Sequence, residues 1–130
     1  MRRRAVLSVL SLAALGACAT AAPPAQAPLR FVFFEDDSAA LGEAARAVVT
    51  GAARDALANP SAPVRVLGYV APEPGESPVV ALSRARAEVV ANELVRAGVP
   101  RERIRVEGRG AAEPGDQQVA RRRVEIRIGA

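Results

Sequence analysis

The sequence predicts an α+β domain: a two-layer sandwich with a mixed four-stranded sheet, two long helices on one face, and element order βαβαββ. Three observations carry that expectation. Ser77–Pro100, SPVVALSRARAEVVANELVRAGVP, repeats apolar residues at helical spacing between recognisable stops. Arg103–Arg109 and Arg122–Ile128 alternate charged and apolar side chains, as strands with one covered face do. Finally, strand-like and helix-like runs interleave until the last two strands, which follow each other directly.

Met1–Ala17 opens with Arg2, Arg3 and Arg4, followed by the apolar run Ala5–Leu15, too short to span a bilayer comfortably. It ends in Leu15-Gly16-Ala17-Cys18, which resembles the lipobox of bacterial lipoproteins. The expectation is a signal peptide over residues 1–17 and a lipid attached to Cys18, the sole cysteine. An uncleaved apolar tail with an incidental cysteine is the competing reading. Residues 18–28 comprise that cysteine and a Pro/Ala-rich linker; ATAAPPAQAP would reach roughly 30 Å at about 3 Å per extended residue. By analogy with such lipoproteins, Ala19 after the cysteine points to the outer membrane. Residues 29–130 form the domain.

Leu29–Phe34, LRFVFF, reads as the first strand. Glu35-Asp36-Asp37-Ser38 reads as a turn and helix cap, opening a helix over Ala39–Ala58 with Leu41, Ala45, Val48 and Ala52 inward. Asn59-Pro60 ends it. Val64–Tyr69 is the second strand, and Ala71–Ser77 a loop carrying Glu73 and Glu76. In the second helix Ser77 and Pro78 suit the first turn, while Gly98 and Pro100 stop the last. Ser83, Ala87, Val90, Leu94 and Ala97 form its buried stripe, with Arg86 at the border. Arg86 is a ligand candidate, although a border arginine can equally lay its stem over apolar surface and keep its head wet. The third strand places Ile104 and Val106 inward and Arg103, Arg105 and Glu107 outward. Gly110–Gln118 is a loop. The fourth strand turns Val124, Ile126 and Ile128 inward and Arg123, Glu125 and Arg127 outward, with Arg121–Arg123 beginning a wet-faced edge strand. Right-handed crossovers make the first three strands parallel and leave the fourth free to run antiparallel.

Val64–Ile128 resembles the OmpA-like peptidoglycan-associated domain in Gly68-Tyr69, Leu82-Ser83 with Arg86-Ala87, Leu94 with Gly98-Val99, Gly108-Arg109-Gly110 and Arg122-Arg123-Val124-Glu125-Ile126. FVFFEDDSAAL looks like the family's opening strand and turn. The resemblance implies an outer-membrane lipoprotein, with its domain in the periplasm, that binds peptidoglycan noncovalently through the diaminopimelate of the stem peptide. It also implies an arginine for the ligand's carboxylate and an aspartate for its ammonium. The arginine falls on Arg86. The acid falls on Ala71, which has no carboxylate, and Glu73 is the nearby substitute. Two asparagine positions of the family fall on Val79 and Arg121, and the loop before the last strand is short.

The chain has 130 residues and no His, Trp or Lys. Its formal charge of +4 includes Arg2–Arg4; without them fifteen arginines face fourteen acids. That balance argues against nucleic acid as a partner. Without His or a nucleophile motif, and with the cysteine committed to lipid, an enzyme is not expected, nor a metal or cofactor. The alternative to wall binding is an OmpA-like adaptor without peptidoglycan affinity that contacts other envelope proteins.

Overall fold

The computed structural model describes residues 27–35, 38–70, 79–111 and 122–129. Cys18, Asp36, Asp37, Ala71, Glu73 and Arg121 lie outside them, as do the signal, most of the linker and the side chain of Val79. The elements are β1 (Arg30–Phe33), α1 (Glu43–Ala58), β2 (Val64–Val70), α2 (Val79–Arg96), a 3-10 turn (Arg101–Arg103), β3 (Ile104–Ala111) and β4 (Arg123–Ile128).

The sheet order is β1-β4-β2-β3. β2 pairs parallel with β3, and β4 runs antiparallel to both β1 and β2. The first three strands therefore point the same way, as expected. β4 is nevertheless central, which corrects the edge-strand reading of Arg121–Arg123. Alternation shows that one face of a strand is covered but not which strands flank it. Ile104–Ala111 also extends β3 through Gly110, which the sequence reading placed in a loop.

Both helices cover one face. Val32, Phe34, Val64, Val66, Val124 and Ile126 meet Val49, Ala52, Ala53 and Ala56 of α1 and Ala87, Val90 and Leu94 of α2. The α2 stripe holds except at its end, because Ala97 is exposed. Its C-terminus closes as expected. Gly98 takes φ +106°, its amide donates to Val95 O at 3.0 Å, and the Val99 amide donates to Leu94 O at 3.1 Å. That pair of bonds caps a helix through a left-handed residue.

α1 starts at Glu43, four residues later than the sequence reading placed it, and its N-cap Gly42 has no side-chain cap bond. Arg86 explains the delay: its Nε donates to Ser38 O at 2.8 Å, so the segment is held by a tertiary contact before the helix can begin. The buried face is also rotated, to Val49, Ala52, Ala53 and Ala56, with Leu41, Ala45 and Val48 only partly buried. Gly51 is interior, and a Cβ there would stand 2.9 Å from Arg30 Nη1. The missing side chain leaves room for the Arg30–Asp55 ion pair, 2.7 Å long.

Arg103 does not face water as expected. Its Nη2 donates to the carbonyls of Ala56, Asn59 and Ala62 at 2.9, 2.7 and 2.8 Å. A guanidinium on the carbonyls at and just past the end of α1 adds a charged donor there and complements the helix dipole. Glu125 likewise departs from the wet position expected of it. It is 5% exposed, beneath Arg123 at 3.1 Å and Arg127 at 2.6 Å.

Candidate functional site at Arg86

The second turn of α2 crosses the sheet closely because two strand positions lack side chains. A Cβ on Gly68 would stand 1.8 Å from Ser83 O, and one on Gly108 would stand 2.9 Å from Arg84 Cβ. Isolated glycines inside strands mark such close approaches. The crossing buries Ser83 completely. Its Oγ donates to Val80 O at 2.8 Å and accepts from the Gly110 amide at 3.0 Å. Ser83 thus pins the end of β3 to α2.

One helical turn further on, Arg86 points into the junction between the turn after β1 and the end of β2. The sequence reading put it at a border; it is 1% exposed. Nε donates to Ser38 O at 2.8 Å, Nη2 to Glu35 O at 2.9 Å and Nη1 to Tyr69 O at 3.4 Å. Its Cζ stands 5.3 Å from the centroid of the Phe34 ring, itself buried. Burying a guanidinium is costly unless its donors are satisfied, and backbone carbonyls and an aromatic face meet that cost here. The arginine therefore fixes Glu35, Ser38 and Tyr69 relative to one another. Those are the ends of the two segments that carry Asp36-Asp37 and Ala71–Pro78.

Residues 33–127 match the OmpA family. The chain belongs to that family. The curated relative "Probable lipoprotein YiaD" of Escherichia coli (strain K12) is 35% identical over 103 residues, covering 75% of this chain. The chain spans 47% of that relative's length. Among solved structures, the peptidoglycan-associated lipoprotein from Burkholderia pseudomallei superposes with TM-score 0.68 at 24% identity, covering 76% of this chain and 89% of the other. The OmpA-like domain of FopA1 from Francisella tularensis subsp. tularensis SCHU S4 gives 0.69 at 22%, covering 77% and 70%. The periplasmic domain of Helicobacter pylori MotB gives 0.68 at 19%, covering 78% and 81%. These likenesses establish the OmpA-like fold.

Within this OmpA domain, the described residues contain Arg86 but not the two positions with which it was paired, Ala71 and Glu73. Ser83, Gly68, Gly108 and Phe34 shape the site and were not read as site residues. The glycines were the available signal. Among the described residues no group of three or more His, Cys, Asp or Glu is placed to hold a metal ion. Among the described residues, the carboxyl with a displaced pKa is that of Glu107, on the opposite face of the sheet. A hydrogen bond from Arg65 holds it below the usual carboxylate range against the opposing effect of burial, with Arg109 adding attraction. On the same face, the hydrogen bond to Glu125 raises Arg127 above its ordinary value.

Proposed function

We propose that the chain is a non-enzymatic outer-membrane lipoprotein, anchored through Cys18, whose OmpA-like domain holds peptidoglycan noncovalently in the periplasm. In this reading the 1–17 signal is removed and residues 18–28 tether the domain. Arg86 meets the carboxylate of the stem-peptide diaminopimelate, and Glu73 stands in for the acid absent at Ala71. The observation that supports it is the fixed, buried guanidinium of Arg86 at the junction of the two family loops. A planar donor group held in place loses little freedom on meeting a carboxylate.

The adaptor reading draws on the same residue. Arg86 donates to three backbone carbonyls, which is also what a purely architectural arginine would do. Co-sedimentation with purified sacculi separates the two. Under the wall-binding reading the parent sediments with the wall, Glu73→Gln weakens it, and Ala71→Asp strengthens it. A parent that stays in solution while Ala71→Asp sediments marks a site that has lost its acid, and the adaptor reading stands. Arg86→Ala alone is not decisive, because it strips three carbonyls of their donor, so loss of binding has to be read beside an unfolding curve.

A further inference from the structure

On the face of the sheet away from the helices, the strands place their charges in rows. Arg65 lies in direct register with Arg127 on one side and with Arg105 on the other. Like charges directly opposite across strands are destabilising, so three adjacent arginines are a local cost. In the next row Glu125 and Glu107 flank Leu67. Each glutamate is shared, Glu125 between Arg123 and Arg127 and Glu107 between Arg65 and Arg109. Arg105 has no ion pair or side-chain hydrogen bond among the described residues. Among the described residues of this face, and leaving Arg123 aside, Arg65, Arg105, Arg109 and Arg127 outnumber Glu107 and Glu125 by two. Beside it, edge strand β1 and the residue just before it carry an apolar stripe: Leu29, Phe31 and Phe33 are 45%, 40% and 51% exposed.

We propose that this face lies on an anionic phospholipid bilayer, with the β1 stripe entering the interface and the arginine rows meeting lipid phosphates. Aromatic side chains favour the membrane–water boundary, and basic residues near an anionic leaflet are drawn to it. The rows spread cations across three strands at about 4.8 Å per strand, matching a field of phosphates better than a single anion. A second copy of the chain is disfavoured because the face would repel itself. The N-terminal 26 residues join the domain at this same strand, so a tether from a membrane would enter beside the stripe. The face is separate from Arg86, and the proposal does not depend on wall binding.

Tyr69 is a built-in reporter. It is the only tyrosine in a chain without tryptophan, and its ring lies on this face, 4.5 Å from Arg123 Cζ. The full chain is mixed with phosphatidylglycerol/phosphatidylethanolamine vesicles carrying brominated acyl chains, and tyrosine fluorescence is followed. The expected result is quenching that 0.5 M salt reverses and that phosphatidylcholine vesicles or free inorganic phosphate do not produce. Arg105→Glu and Phe31→Ser/Phe33→Ser alter exposed positions, and each should lower the apparent partition at least about tenfold with unchanged thermal unfolding. A chain that floats with the vesicles while Tyr69 stays unquenched is held by its N-terminal segment alone, which overturns the proposal. Quenching equal in parent and both variants also overturns it. An acidic protein captured by the face in place of quenched binding does so as well.

Discussion

Gly68 is the residue on which the packing of α2 turns, because its missing side chain lets the helix backbone descend onto β2. Gly68→Ala would drive a methyl carbon to 1.8 Å from Ser83 O, a backbone atom that cannot swing aside. The helix has to lift, and Ser83 then loses its bond to the Gly110 amide. We expect a loss of about 3 kcal/mol or more, the upper end of overpacking effects. Urea denaturation checks this, and a loss below about 1 kcal/mol would show that the close crossing does not hold. Arg86 and Arg103 illustrate a second theme at this scale. Both spend guanidinium donors on backbone carbonyls, Arg86 where β1 meets α1 and Arg103 where α1 ends. In a chain without lysine, arginine has taken over the joining of segments that have no regular hydrogen-bond partners.

At the scale of elements, α2 is the central support, packing on β2 and β3 while presenting Leu94 to the core. Leu94 is fully buried, and its neighbours Ala87, Val90 and Ala91 are small or stiff, so they fill a void poorly. Leu94→Ala should therefore cost about 2–5 kcal/mol, read from equilibrium unfolding midpoints. A midpoint shift below about 1 kcal/mol would mean that the core collapses around the site. α1 behaves differently. Its start is held by the contact of Arg86 with Ser38, residues distant in sequence, whereas its end at Ala58 falls where Asn59-Pro60 places it, with the Asn59 side-chain amide donating to Asp55 O at 2.9 Å. Propensity and local caps have correspondingly little say in where it begins.

For the molecule as a whole, the charged sheet face links stability to pH. Arg65 holds the Glu107 carboxyl below its ordinary 4.5 in the folded chain. A carboxyl depressed by folding contributes stability above its unfolded value, and that contribution is lost as pH falls through the folded one. Glu107→Gln should accordingly lower the urea midpoint at pH 7 and narrow the gap between pH 7 and pH 3. Equal gaps in parent and variant would refute the linkage. The proposed anchor is also tested at this scale. Cys18→Ser should move the chain from the membrane to the soluble fraction of fractionated cells, and a normally processed variant that stays membrane-bound would exclude lipid attachment there.

The element order, the α+β class, the stop of α2 at Gly98 and the inward faces of Val124, Ile126 and Ile128 were legible in the sequence. Each of these follows from local chemistry: a period of two or 3.6, a left-handed residue, a proline. The OmpA motifs were legible too, since they are short runs read in order. Tertiary structure alone decided that β4 sits between β1 and β2, because alternation is the same for an edge strand as for a central one. It alone buried Arg86, whose acceptors Glu35, Ser38 and Tyr69 lie 51, 48 and 17 residues away. It also turned Arg103 onto the end of α1 and sank Glu125 beneath two arginines. A charged side chain in a sequence announces its charge; whether it meets water, a carbonyl or an opposite charge is settled by what folding brings beside it.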